Sequence, residues 1–87
     1  MGVSNLELSG TYTEATDEEI QSLYYKYLEA WKDWVTADAE YVVAAARNNR
    51  QTSDENRAQV EAAKAKLEAA IDELNKAYQA YLDALNQ

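Results

Sequence analysis

The chain has 87 residues, sixteen acids against eight bases for a formal net charge of −8, and no proline, cysteine, histidine or phenylalanine. Those counts remove disulfide staples, thiolate metal sites and histidine acid–base chemistry, and they weigh against nucleic acid or an anionic membrane as partner. Without proline and rich in Ala, Leu, Glu and Lys, the sequence predicts one small all-α domain. The longest apolar run, Tyr41 to Ala46, is far too short to span a bilayer. No basic stretch followed by an apolar core marks a secretory signal, so the expected location is a virion or the cytoplasm, with leaderless export left open.

Residues 1–15 read as an extended arm with no core of its own. Leu6 and Leu8 alternate around Glu7, and Thr11-Tyr12-Thr13 favours extended backbone. Such an arm either hangs free or lies on a neighbour through Leu6, Leu8 and Tyr12.

The helical hairpin is expected over residues 16–87. Thr16-Asp17-Glu18-Glu19 opens helix 1, with Thr16 as N-cap and Glu19 placed to close a capping box. The helix is predicted over about 17–47. Its seam is Ile20, Tyr27, Trp34 and Tyr41, one residue every seven, flanked by Leu23, Ala30, Ala37 and Ala44. Residues 48–52 are predicted as the loop, with Asn48 or Asn49 taking the left-handed position after the helix. Thr52-Ser53-Asp54-Glu55 offers a second capping box, with Thr52 as N-cap. Helix 2 then runs over about 53–86. Its seam is Val60, Leu67, Leu74 and Tyr81, alternating with Ala63, Ala70, Ala77 and Ala84.

A short connection makes the two helices antiparallel neighbours. Folding at the Arg50–Gln51 bond opposes Tyr41 to Val60, Trp34 to Leu67, Tyr27 to Leu74 and Ile20 to Tyr81. These eight residues are the expected core, in an Ala-rich, coiled-coil-like hairpin. One helix pair buries too little apolar surface to offset the ordering of its own chain. Leu28, Val35 and Val42 lie outside the seam and Trp31 at its edge, so the fold is expected to be completed by oligomerisation. The expected interface comprises the arm, the open-end residues Tyr24, Tyr25, Tyr78, Leu82 and Leu85, and the outer face at Leu28, Trp31 and Val35.

Candidate chemistry is sparse. Most carboxylates sit beside lysines at helical spacing, as in Glu29/Lys32, Glu61/Lys64 and Asp72/Lys76, which is the pattern of solvated faces. Asp38 falls in the flank of the apolar stripe and is expected to pair with Lys64 across the helices. Arg47, Arg50 and Arg57 cluster at the turn, either as an anion contact or as complements to the helix 1 C-terminus. No serine has a neighbouring base, and no glycine-rich phosphate loop is present. The expectation is therefore a protein that is not an enzyme and has no cofactor and no metal.

Residues 16–29, TDEEIQSLYYKYLE, with Ala30-Trp31 and the later stretch from Thr52 to Val60, TSDENRAQV, resemble small α-helical tailed-phage head–tail joining proteins. The resemblance implies a non-enzymatic structural or assembly protein, a helical-hairpin subunit of a multi-copy complex, such as a phage virion head–tail connector or a capsid accessory protein. Its partners would be copies of itself or other structural proteins, with no membrane and no direct sequence-specific nucleic-acid binding. In size, acidity and Ala content the chain is also similar to the WXG100 secreted hairpins, although Trp31 and Trp34 fall mid-helix. A further alternative is an acidic inhibitor that mimics nucleic acid; Lys26, Lys32, Lys64, Lys66 and Lys76 would interrupt its acidic face.

Overall fold

A computed structural model describes residues 15–86. Nearly all of the arm, with Leu6, Leu8 and Tyr12, lies outside the described residues. The described chain is two helices, α1 (Asp17–Arg50) and α2 (Asp54–Leu85), packed on each other as an all-α antiparallel hairpin. At 1.5 Å per residue each helix is about 50 Å long.

The start of α1 follows from its first four residues. Thr16 has extended backbone, the Glu19 N–H donates to Thr16 Oγ1 at 3.1 Å, and the Thr16 N–H donates to Glu19 Oε1 at 2.8 Å. Two otherwise unpaired backbone donors are satisfied reciprocally. Asp17, Glu18 and Glu19 place negative charge where the helix dipole is positive.

The end of α1 departs from expectation. The helix runs through Asn48 and Asn49 to Arg50, and neither asparagine becomes a left-handed cap. Asn48 stays helical because it occupies the next seam position after Tyr41, where it is half-buried. Two bonds then close the helix: the Gln51 N–H donates to the Arg47 carbonyl at 3.0 Å, and Thr52 Oγ1 donates to the Asn48 carbonyl at 2.9 Å. With the Thr52 hydroxyl committed to α1, the N-cap of α2 moves one residue on to Ser53, whose Oγ accepts from the Asn56 N–H at 3.0 Å. Asn56, not Glu55, is thus the third residue of α2. Its side-chain amide turns back to the Gln51 carbonyl at 2.6 Å.

These changes shorten the connection to residues 51–53 and centre it on Thr52 rather than on the Arg50–Gln51 bond. Residues at equal distance from Thr52 now oppose each other, which moves the pairing by three residues, just under one helical turn. Trp34 lies across from Ala70 instead of Leu67, Tyr41 across from Ala63 instead of Val60, and Tyr27 across from Ala77 instead of Leu74. Side-chain contacts between the helices obey the new centre within one or two residues: Tyr24 with Tyr81, Tyr27 with Tyr78, Glu40 with Lys66, and Arg47 with Gln59. The shift replaces large-on-large layers by large-on-alanine layers. Away from the open end, where Tyr81 meets Tyr24 and Tyr27, the bulky seam residues therefore alternate with alanines across the pair, as close packing requires.

Burial follows the same logic. The fully buried residues are alanines: Ala37 at 2% exposure, Ala84 at 7% and Ala44 at 8%. The expected core residues Ile20, Tyr27, Trp34, Tyr41, Val60, Leu67, Leu74 and Tyr81 are all half-buried, because a single partner helix covers only one side of a large side chain. At the open end Tyr24, Tyr27, Tyr78 and Tyr81 form an aromatic cluster, with Tyr27 and Tyr78 centroids 5.2 Å apart and Tyr27 stacked on Tyr81 at 6.2 Å. Such pairs add about 0.5–1.5 kcal/mol each beyond their buried area.

Candidate functional site

The hairpin has two long flanks, and they differ in chemistry. One is polar. Near its open end a shallow groove of about 860 Å³ is lined by the charged Lys26, Glu29, Asp33, Glu73 and Lys76 and by the apolar Leu23, Tyr25, Ala30, Ala77 and Ala80. Further toward the turn the same flank is tied across by a Lys66–Glu40 ion pair at 2.8 Å and by an Arg47–Gln59 hydrogen bond at 3.2 Å. Lys76 sits between Asp72 at 3.0 Å and Glu73 at 3.8 Å, and the hydrogen bond and charge of Asp72 hold its ammonium above the usual lysine value. Lys32 lies 4.0 Å from Glu29. Alternating charges of this kind make a solvated surface. No group of acids among the described residues is spaced to hold a metal ion.

The other flank is apolar. On α1 it begins with Tyr24, Leu28, Trp31 and Val35, and continues to Val42. On α2 Ile71, Tyr78 and Leu85 recur every seven residues. Seven-residue spacing keeps a row on one side of a helix that packs lengthwise on another. All three stand immediately after seam alanines, Ala70, Ala77 and Ala84, as Tyr24 and Trp31 stand immediately after Leu23 and Ala30. Antiparallel packing brings two rows with the same offset to one side of the pair. The Tyr27–Tyr78 contact marks where the α2 row meets α1, and none of the seven residues from Tyr24 to Val35 and Ile71 to Leu85 named here lines the polar groove.

Of the expected interface residues, Tyr24, Tyr25, Leu28, Trp31, Val35, Tyr78 and Leu85 are between 37% and 57% exposed, and Leu82 is half-buried against the hairpin. Tyr25 falls outside the apolar flank and lines the groove instead. Two exposed residues were not anticipated, Val43 and Ile71. The signal for Ile71 is plain in retrospect, since it heads the row that continues with Tyr78 and Leu85.

The expected Asp38–Lys64 pair is not made. Both residues are exposed, and neither joins an ion pair among the described residues. The cross-helix pair is Glu40 with Lys66, on the polar flank. The basic tip is mostly engaged locally: Arg47 donates to Gln59, Arg57 to Asp54, and Arg50 sits in the last turn of α1 where its charge suits the dipole. No helix among the described residues is long and apolar enough to cross a membrane. Comparison of the chain with family models, curated proteins and solved structures finds no match in any of the three.

Proposed function

We propose that this chain is a non-enzymatic assembly protein, a hairpin subunit that works by packing its apolar flank on another protein chain. One observation carries the reading. Ten large apolar residues of the described hairpin are exposed, whereas its fully buried apolar residues are three alanines. A soluble monomer rarely leaves a contiguous apolar surface of more than a few hundred Å² open to water, and larger ones mark interaction sites. The polar flank pairs part of its charge within the hairpin, through Glu40 with Lys66 and Asp72 with Lys76.

Within that reading, the resemblance of residues 16–31 and 52–60 points to a virion, with the hairpin as a head–tail connector or capsid accessory subunit among copies of itself or other structural proteins. Native mass spectrometry with a concentration series of thermal melts tests the assembly claim. A multi-chain mass and a melting temperature that rises with concentration support it. A monomer that instead forms a complex with a basic protein through Glu29, Asp33 and Glu73 would replace it with the inhibitor reading.

A further inference from the structure

The apolar flank carries its own indication of what covers it. Beside Leu28, Val35 and Val42, it holds two facing rows at seven-residue spacing, Asp17, Tyr24, Trp31, Asp38 and Ala45 on α1 and Arg57, Lys64, Ile71, Tyr78 and Leu85 on α2. Apart from Asp17 at its end, the open half of these rows is apolar, and the half toward the turn carries Asp38, Arg57 and Lys64. In a chain of net charge −8 these rows hold two acids and two bases. These two rows are electrically balanced within an acidic chain. Asp38 and Lys64 stand at the same level, one heptad toward the turn from Trp31 and Ile71, and both are exposed and unpaired among the described residues.

We infer that the occupant is a second copy of this chain, packed flank to flank about a two-fold axis parallel to the helices, so that two hairpins form a four-helix bundle with both turns at the same end. This deepens the assembly reading and rests on it. Three features select a copy over an unrelated partner and fix its direction. A two-fold interface must be complementary to itself, and a surface with one acid and one base at the same level meets that condition, since Asp38 of each chain faces Lys64 of the other. Repulsion between two chains of −8 is lowest where the contacting rows are neutral. Most of the apolar residues, Val42 apart, lie in the open half, so they cover one another most fully when the two open ends lie together.

The area agrees. Tyr24, Leu28, Trp31, Val35, Ile71, Tyr78 and Leu85 are each 37–48% exposed. With aromatic side chains of about 150–250 Å², these residues present on the order of 600–700 Å² per copy, against the roughly 800 Å² that each partner contributes to a standard interface. The neighbouring Val42 and the Asp38–Lys64 layer supply much of the difference.

The test uses the full chain and two kinds of variant, read by native mass spectrometry and by distance. Asp38→Lys and Lys64→Asp each place like charges across the two-fold, so each alone should weaken the dimer several-fold. Mixed together, the two variants should form the mixed dimer in preference to either homodimer, which a pair within one chain would not produce. The chain has no cysteine, so Gln51→Cys in the turn takes a single spin label. Turns at the same end should give a label separation of roughly 20–30 Å, from interhelix spacings of 8–10 Å and helix diameters of 10–12 Å. A separation of roughly 50 Å, one helix length, or mixing without preference, would overturn this arrangement and leave the assembly reading intact. A monomer at every concentration would overturn both. A monomer that dimerises only after removal of residues 1–14 would overturn the copy as occupant and assign the flank to the arm.

Discussion

Ala37→Leu tests the close approach of the two helices directly. Ala37 is the most buried residue described, at 2% exposure, and lies in the seam between Trp34 and Tyr41. A leucine there adds three carbon atoms. If space existed, burying them would stabilise the fold by about 0.8 kcal/mol per carbon. The exposure says that no space exists, so the added atoms must push α2 away or take strained rotamers. Overpacking of this kind costs about 1–3 kcal/mol. Ala39→Leu is the control, because Ala39 lies on the exposed side of the same helix and leucine is nearly as good a helix former as alanine. Its effect should stay within about 0.5 kcal/mol. Urea unfolding followed by circular dichroism, at one fixed protein concentration, measures both. An Ala37→Leu chain as stable as the Ala39→Leu chain would refute the alanine-mediated packing and the register that produces it.

Three further outcomes follow from local geometry. Ser53→Ala removes the N-cap of α2 and should cost about 1 kcal/mol, with faster amide exchange at Asn56 as the local sign; unchanged exchange would return the cap to Thr52. Asn48 Oδ1 is buried without a hydrogen-bond partner, and an unsatisfied polar atom costs about 1–3 kcal/mol, so Asn48→Leu should raise stability in the same urea assay; a loss would mean that the amide makes a bond that matters. Lys76 is held above its ordinary value by Asp72 and Glu73, so its contribution is complete below the unfolded lysine value and fades as pH rises through the raised folded one. The stability difference between the parent and Lys76→Met should therefore be constant near neutrality and shrink in strong alkali; a difference that grows with pH would reverse the sign.

Sequence periodicity was enough to read the hairpin, its seam and its first cap. Ile20 to Tyr41 and Val60 to Tyr81 repeat every seven residues, and Thr16 with Glu19 makes a capping box that nothing nearby competes with. The turn was less legible because several residues there can cap. Thr52 and Ser53 both qualify as N-caps, and the choice depends on Asn48, whose carbonyl takes the Thr52 hydroxyl once α1 has continued that far. Asn48 in turn continues because it completes the seam, a tertiary reason that local preference does not carry. Since the register hangs on the turn, three residues of extra helix, Asn48 to Arg50, were enough to exchange Leu67 for Ala70 opposite Trp34. Glu40 and Lys66 share one flank and Asp38 and Lys64 the other, and only the first two pair across the helices. Tyr24, Leu28, Trp31 and Val35 could be read as exposed from their offset to the seam, as could Tyr78 and Leu85 at the open end, whereas Ile71 in the same α2 row was masked by the dominant alanine pattern beside it.

The central claim is that this hairpin is finished by another chain. Sedimentation equilibrium of the 87-residue chain, from low micromolar to high micromolar concentration, addresses that claim without any variant or label. The account predicts a weight-average mass that rises with concentration toward at least two chains, with the melting temperature rising in step. A single-chain mass throughout, with a melting temperature independent of concentration, would contradict it.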